Sequence, residues 1–359
     1  MKPSSIQKLD PNFRTTDSQT GLDWYDAQIL GVRGQGWSET QRSYARLPAK
    51  AESLVREPVW QLAQHSAGLY VGFVTSSKTI DVRWQLWSED LSMPHMPGTG
   101  VSGLDLYIKD PNRSGGSCYH WLGSCHPQSF PNNQAQLVGQ LNGQANELRI
   151  YLPLYNGIEK IEIGVETDTI VETPPVDVNP PIVIYGTSIV QGGCASRPGM
   201  SYPAIMGRFL DRTVINLGFS GNGQAEEEMA DLLSELNPSV YVLDYCPNLD
   251  KERICHRTEP FVNILRNVHP HIPIVLVENI TYQNQSYVSS INRANIEKNL
   301  ELRAAYNRMR ADGIKHLLYI RGDQLLGSDG EATVDGIHPT DLGFIRMAES
   351  ITPILSSLL

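Results

Sequence analysis

Ser188 sits in the stretch VIYGTSIVQGG (183–193), where an apolar, β-branched run gives way to Gly186 and, beyond the serine, to Gly192 and Gly193. Such glycines let a chain turn sharply and let a ligand approach the backbone closely. A serine in this setting has two readings, a cap where a helix begins or a nucleophile. A phosphate-binding loop is a third, but no Lys-Ser/Thr pair follows the glycines. A nucleophile needs a base, and the base needs an orienting acid. The stretch VDGIHPT (334–340) offers both: Asp335 and His338 are three residues apart, so a tight turn can set the carboxylate against one ring nitrogen and leave the other free to face a serine. The competing reading is a surface turn in which both residues cap the last helix. Acyl transfer also requires donors aimed at the developing oxyanion. Gly221, in NLGFSGNG (216–223), offers a backbone N–H, and Asn248, in CPNLD (246–250), offers a side-chain amide. Each of these is by itself an ordinary loop residue. Together they give Ser, Gly, Asn and Asp-x-x-His in chain order.

The elements that must hold these residues are readable from periodicity. Nearly continuous apolar runs at 182–186, 213–218, 239–246, 273–280 and 317–321 predict strands covered on both faces. They alternate with helical patterns near 201–211, 225–237, 259–268, 291–312 and 341–357. The expected architecture is a five-stranded parallel sheet in a three-layer α/β/α sandwich, with ligands at the carboxyl ends of the strands. Ser188, Gly221 and Asn248 each fall just past such an end. The first half reads differently. Segments 68–74, 79–87, 104–110, 147–155 and 160–166 alternate or run as strands between turn residues, without a long helix pattern, which predicts a β-sandwich of jelly-roll type. Four prolines lie within VETPPVDVNPP (171–181). They set the expected division into a β-sandwich accessory domain (1–170), a Pro-rich linker (171–181) that limits swing, and a catalytic α/β domain (182–359).

Composition narrows the function. The chain of 359 residues is 40% hydrophobic and 19% charged, with a formal net charge of −10. That balance suits a globular protein with a sizeable core and argues against nucleic acid or an anionic membrane as partner. The N-terminal stretch lacks the apolar core of a signal peptide, so the expected compartment is cytoplasmic, or secreted or periplasmic if a leader has been removed. Five cysteines make no even disulfide set and favour a reducing compartment. SCYHWLGSCH (117–126) carries Cys118, His120, Cys125 and His126. Free thiols in a hairpin are the plain reading, a Cys118–Cys125 disulfide or a zinc site the alternatives, with the spacing crowded for four tetrahedral ligands. Trp121 there lines a surface or simply packs. Glu226, Glu227 and Glu228 suit the start of a helix, with a role toward substrate as the alternative. Cys194 and Cys246 lie near the candidate site but lack so complete a set of partners as Ser188.

The four blocks together resemble the SGNH (GDSL-type) hydrolases. Gly186-Thr187-Ser188 is similar to the first block, with threonine where the family name has aspartate. Gly218-Phe219-Ser220-Gly221 is similar to the second. Cys246-Pro247-Asn248-Leu249 keeps the asparagine of the third but not its neighbours, and Asp335-Gly336-Ile337-His338-Pro339 matches the last. Gly103-Leu104-Asp105-Leu106-Tyr107 resembles the G-x-D-L-Y motif of a sub-branch with an N-terminal β-domain. The resemblance implies a serine esterase with Ser188, His338 and Asp335 as triad, the N–H groups of Ser188 and Gly221 with the Asn248 amide as oxyanion hole, and no metal or organic cofactor. It implies a small acylated substrate, with a carbohydrate alcohol suggested by the β-domain, which is expected to wall the alcohol side; the short loops after the strands, with no extended lid between Leu326 and Val334, set the expectation of short acyl groups such as acetyl. An acyltransferase using the same triad, and a non-catalytic carbohydrate-binding protein, are the alternatives.

Overall fold

A computed structural model describes residues 14–17, 20–110, 118–175 and 177–359. The N-terminal half contains β1 (Arg14–Asp17), β2 (Leu22–Asp26), β3 (Val32–Arg33), β4 (Tyr70–Thr75), β5 (Ile80–Leu86), β6 (Leu104–Lys109), β7 (Tyr119–Cys125), β8 (Asn132–Val138), β9 (Asn146–Tyr151), β10 (Ile158–Glu166) and β11 (Val171–Glu172). They form two antiparallel sheets. One has the order β1-β2-β10-β5-β8; the other runs β11-β4-β9-β6-β7, with β3 also on β4. Inward residues of both, among them Tyr25, Phe73, Val82, Trp84, Leu106, Ile150 and Ile163, share one core. This is the face-to-face packing expected of a sandwich. The stretch expected as a hairpin at 117–126 is instead one continuous strand at 119–125, and the strand at 132–138 was not anticipated. β8 reads NNQAQLV, and its amides point outward from an edge strand, so its apolar signal is thin.

The C-terminal half is an open parallel sheet in the order β13-β12-β14-β15-β16, formed by β12 (Ile182–Gly186), β13 (Val214–Gly218), β14 (Val240–Asp244), β15 (Ile274–Val277) and β16 (Leu317–Ile320). β12 and β14 lie side by side in parallel, as do β12 and β13. Every residue of β12, β13, β14 and β15 is buried, because helices cover both faces. The larger covering helices are α1 (Tyr202–Leu210), α2 (Glu227–Ser234), α3 (Lys251–Val268), α4 (Ser289–Ala311) and α5 (Asp341–Ser356). α3 begins eight residues before the predicted start at 259. Pro260 mimics a first-turn proline in sequence, yet it lies inside the helix. Asp250 is the actual cap, its carboxylate accepting the Arg253 N–H at 2.8 Å.

Two features of the junction bear on function. Val171 and Glu172, at the start of the proline-rich stretch, pair with Thr75 and Val74 as an edge of the sandwich. The two halves also share cores. Leu47, Ala51, Val59, Trp60 and Ala63 pack with Val183, Tyr185, Leu217, Phe219 and Leu243. Ala67, Met96, Val101, Leu154 and Tyr155 pack with Ile184, Val190, Tyr202 and Val242 on the opposite face.

The G-x-D-L-Y motif is part of this junction. Asp105 is fully buried and accepts three donors: Trp121 Nε1 at 2.9 Å, Arg197 Nη1 at 2.8 Å and the Gly199 N–H at 2.9 Å. Arg197 also donates to Tyr107 Oη at 2.5 Å. A buried carboxylate held by a cation and two further donors is costly to break, by about 3–5 kcal/mol when one partner is removed. Trp121 therefore serves the junction, with Arg197 also over its ring at 5.1 Å.

Cys118 precedes β7 and Cys125 ends it. Seven steps along a strand separate them by roughly 23 Å at the usual rise. They neither pair nor share a metal, and all five cysteines are free. Among the described residues no group of three or more His, Cys, Asp or Glu is placed to hold a metal ion. Among those residues, too, no helix is long and apolar enough to cross a membrane.

Candidate active site

Ser188 opens a single helical turn, Ser188–Gln191, directly after β12. Thr187 caps that turn, its hydroxyl accepting the Ile189 N–H at 3.2 Å. The cap is thus the threonine at the position where the family name has aspartate, and the serine hydroxyl is free for another partner. That partner is His338: Ser188 Oγ lies 3.0 Å from Nε2. His338 Nδ1 lies 2.7 Å from Asp335 Oδ2. The structure therefore joins three residues that are 150 positions apart in sequence at their extremes.

The local sequence explains how Asp335 and His338 meet. Asp335 Oδ1 accepts the N–H groups of Ile337 at 2.9 Å and His338 at 2.7 Å, which folds the backbone around the carboxylate. Gly336 has φ +92°, a conformation that favours glycine. Val334 N–H closes the turn on the His338 carbonyl at 2.9 Å. Burial pushes the Asp335 carboxyl up, but the hydrogen bonds from the His338 ring and from the His338 and Ile337 N–H groups outweigh it and leave it below its usual range. An ionised acceptor at Oδ2 keeps the proton of His338 on Nδ1 and leaves Nε2 to accept from Ser188. Asp341, three residues beyond His338, accepts Ser196 N–H at 2.9 Å and Ser196 Oγ–H at 2.5 Å, and so ties the histidine turn to the loop after the serine.

Gly221 and Asn248 arrive from the ends of β13 and β14. Gly221 has φ +69° and its Cβ position is open. Asn248 lies in the turn Cys246–Asn248 with its amide against the loop 219–223. The amide is oriented with Oδ1 accepting the Asn222 and Gly223 N–H groups at 3.1 and 3.2 Å, which puts the donor Nδ2 on its other side. Gly223 packs directly on the serine turn, since a Cβ there would stand 1.9 Å from the Gly186 carbonyl oxygen.

The site has a second set of residues that sequence reasoning did not find. Gln191 is fully buried, and its Oε1 accepts the Ser220 N–H at 3.0 Å. Arg46 is buried between the halves. It donates from Nη1 to the carbonyls of Gly218 at 2.7 Å and Asn216 at 3.2 Å, and from Nη2 and Nε to those of Leu62 and His65. Arg56 holds Asn222 by its side chain at 2.8 Å and its carbonyl at 2.9 Å, and pairs with Glu226 at 2.7 Å. The loop carrying Gly221 is thus braced from the N-terminal half. Only Gln191, three residues after Ser188, carried a local signal.

A cleft of about 490 Å³ opens at His338. Leu62, His65, Met93, His95, Met96 and Tyr155 line it from the N-terminal half, facing Gly193, Cys194, Ser220, Asn222 and His338. The His95 and His338 rings are 6.1 Å apart. Tyr155 Oη donates to the Ser188 carbonyl at 3.4 Å. Burial pushes the thiols of Cys194 and Cys246 up to about 12, away from the reactive thiolate.

Residues 179–356 match the GDSL-like lipase/acylhydrolase family, and residues 22–171 match the N-terminus of esterases of SGNH-hydrolase type. No curated protein matches the chain in sequence. A crystal structure described as a GDSL-like lipase from Bacteroides ovatus is 33% identical, with a TM-score of 0.88 over 94% of this chain and 98% of that one. A salicylyl-acyltransferase from a tetracycline biosynthetic pathway has the same fold at 17% identity, TM-score 0.75, covering 96% of this chain and 97% of its own. So does an acetyl xylan esterase from Butyrivibrio proteoclasticus, at 12% identity, TM-score 0.56, covering 94% and 98%.

Proposed function

We propose, from the premise that the chain belongs to the GDSL-like lipase/acylhydrolase family, that it is a serine carboxylester hydrolase removing short acyl groups, acetyl foremost, from a carbohydrate or similar small alcohol. The observation that carries this reading is the hydrogen-bonded string Ser188–His338–Asp335 at the carboxyl edge of a parallel sheet. His338 Nε2 takes the hydroxyl proton as Ser188 Oγ attacks the ester carbonyl. Asp335 holds the imidazolium that forms. The oxyanion is received by the N–H groups of Ser188 and Gly221 and by Asn248 Nδ2. His338 then gives its proton to the departing alkoxide, which leaves as the alcohol. Water, deprotonated by the same Nε2, attacks the acyl-enzyme and releases the acid and free Ser188.

Tight packing beside the serine supports a short acyl group: a Cβ on Gly193 would lie 2.8 Å from Tyr155 Oη and 3.5 Å from Ser188 Cβ, so little room is left between them. The name of the acetyl xylan esterase with this fold supports the sugar acetate. The acyltransferase neighbour supports the alternative in which an alcohol replaces water. Access of water to the base favours hydrolysis: the side chains of His338 and Asp335 are 27% and 42% exposed.

The test is turnover of phenyl acetate and phenyl octanoate by the purified chain, with Ser188→Ala as control. Hydrolysis of the acetate with the higher kcat/KM, lost in Ser188→Ala, is expected. Higher efficiency on the octanoate overturns the acyl-size claim, and undiminished turnover by Ser188→Ala overturns the mechanism.

A further inference from the structure

His65 is a second histidine at the cleft, contributed by the N-terminal half and unused by the mechanism above. Its protonation state is fixed by geometry. The Gln191 amide has one possible orientation, because its oxygen faces the Ser220 N–H at 3.0 Å and its nitrogen faces the Leu154 carbonyl at 3.0 Å. The same nitrogen, a donor only, lies 3.1 Å from His65 Nδ1. Nδ1 must therefore accept, which places the one ring proton on Nε2. The His65 carbonyl is held as well, by Arg46 Nε at 3.0 Å. The ring is set between Trp87, edge-on at 6.2 Å, and Tyr155 at 6.0 Å. Burial pushes the imidazole down to about 3, and Arg46 and Arg42 nearby add to this. Both arginines disfavour a positive ring, and no carboxylate contributes to the shift. The result is an imidazole neutral across the whole working range, with a fixed N–H donor at the edge of the cleft.

This donor has a specific use. Under the esterase reading, the scissile carbonyl oxygen already has its donors at Ser188, Gly221 and Asn248. An acetyl group carries no other oxygen. A further donor in the cleft therefore meets an oxygen of the alcohol portion.

We propose that His65 is a substrate-binding residue whose Nε2–H donates to a hydroxyl, ether or ester oxygen of a polyol or sugar alcohol next to the scissile bond, with Gln191 as the positioning residue that links it to the oxyanion loop. The link runs through one amide, since Gln191 touches both His65 and Ser220. Occupation of His65 by substrate thereby bears on the loop that carries Gly221. The proposal rests on the esterase reading and deepens it by naming what recognises the alcohol.

The test compares phenyl acetate, which has no acceptor beyond its scissile ester, with xylose tetraacetate, which has several. Sites built to bind a polar group discriminate strongly when the pairing is lost. In His65→Phe, which keeps an aromatic ring in the box, kcat/KM is expected to fall at least about tenfold further on xylose tetraacetate than on phenyl acetate, mostly through KM. Equal losses on the two esters would overturn the proposal. An independent measurement uses the wild-type chain with 15N-labelled histidine. His65 is expected to show protonated Nε2 and bare Nδ1 without titrating from pH 5 to 9. A proton on Nδ1, or titration in that interval, overturns the proposal whatever the activities. Wild-type inactivity on both esters sinks the esterase reading and the substrate contact with it. Wild-type activity with a uniform response in His65→Phe sinks the role of His65 alone.

Discussion

Arg46 Nη1 donates to the Gly218 carbonyl at 2.7 Å, across a separation of 172 residues. The guanidinium comes from the N-terminal half, and Gly218 is the last residue of the strand that leads to Gly221. The guanidinium serves four carbonyls and stacks over Phe219 at 4.8 Å. Burial pushes its pKa down to about 9, so it remains a cation at neutral pH. Arg46→Met retains bulk but strands those carbonyls, each at a cost of about 1–3 kcal/mol when buried and unpaired. A loss above about 3 kcal/mol in urea unfolding at pH 7 is expected; a variant within 1 kcal/mol of wild type, on the same scale, would contradict this account.

Ser188, His338 and Asp335 should act as a unit. Ser188→Ala and His338→Ala are each expected to lower kcat by about 10³-fold or more, and the double variant no further. Asp335→Asn should be milder, because an asparagine Oδ1 can still accept the Ile337 and His338 N–H groups that shape the turn. Multiplying losses in the double variant would show that the two residues do not share one step. Single-turnover kinetics on phenyl acetate make the comparison.

The loop 219–223 predicts two opposite glycine outcomes. Gly223→Ala places a Cβ 1.9 Å from the Gly186 carbonyl oxygen, so the loop or the serine turn must shift and activity should collapse. Gly221→Ala meets no atom within 4 Å and carries only the strain of its φ of +69°, roughly 1–2 kcal/mol. It should stay folded by circular dichroism and melt slightly earlier. Asn248→Ala should lower kcat by roughly 10²- to 10³-fold with an unchanged fold.

Asp244 supplies a prediction about pH. It ends β14, fully buried, with Tyr202 Oη–H donating to Oδ2 at 2.9 Å. Burial pushes its carboxyl up to about 7. An unfolded aspartate titrates near 3.9. Between these values the native chain holds a proton that the unfolded chain has released. Its contribution to stability is therefore complete below about pH 4 and is lost as pH rises through about 7. Relative to Asp244→Asn, which keeps an acceptor for Tyr202 and cannot ionise, the wild type should lose stability from pH 4.5 to 7.5. Urea unfolding of both proteins across that range checks the sign, and a relative gain would refute it.

The candidate constellation was legible because its signals are local. Ser188 follows a strand whose residues are all apolar, and Asp335 and His338 face each other through a turn of three residues. The parallel strands were legible for the same reason, since burial on both faces leaves no polar interruption. The braces were not legible. Arg46, His65 and Arg56 find their partners 126 to 172 residues away, and no spacing within either segment marks them. The proline-rich stretch suggested a boundary with limited swing; that the two halves share cores was not readable, because residues such as Val59 and Val183, which meet there, are more than a hundred positions apart. Asp105 was legible as a motif but not as a contact, because Arg197 lies 92 residues further on.

The order of synthesis gives the shared core a further consequence. The segment bearing Leu47, Val59 and Trp60 emerges before any strand of the parallel sheet exists, and its apolar side chains have no partner until Val183, Leu217 and Leu243 arrive. Domains generally fold as units, N-terminal first, as the chain is made. Here the early unit stays incomplete, and a nascent chain halted near residue 180 displays a sticky strip that invites chaperones or self-association. The later half in turn condenses onto a surface already in place, so long-range contacts of the kind that slow folding are brought within reach by the partner that formed first. The cleft, lined by Leu62, His65 and Tyr155 from one half and His338 from the other, takes shape only once both halves have been made.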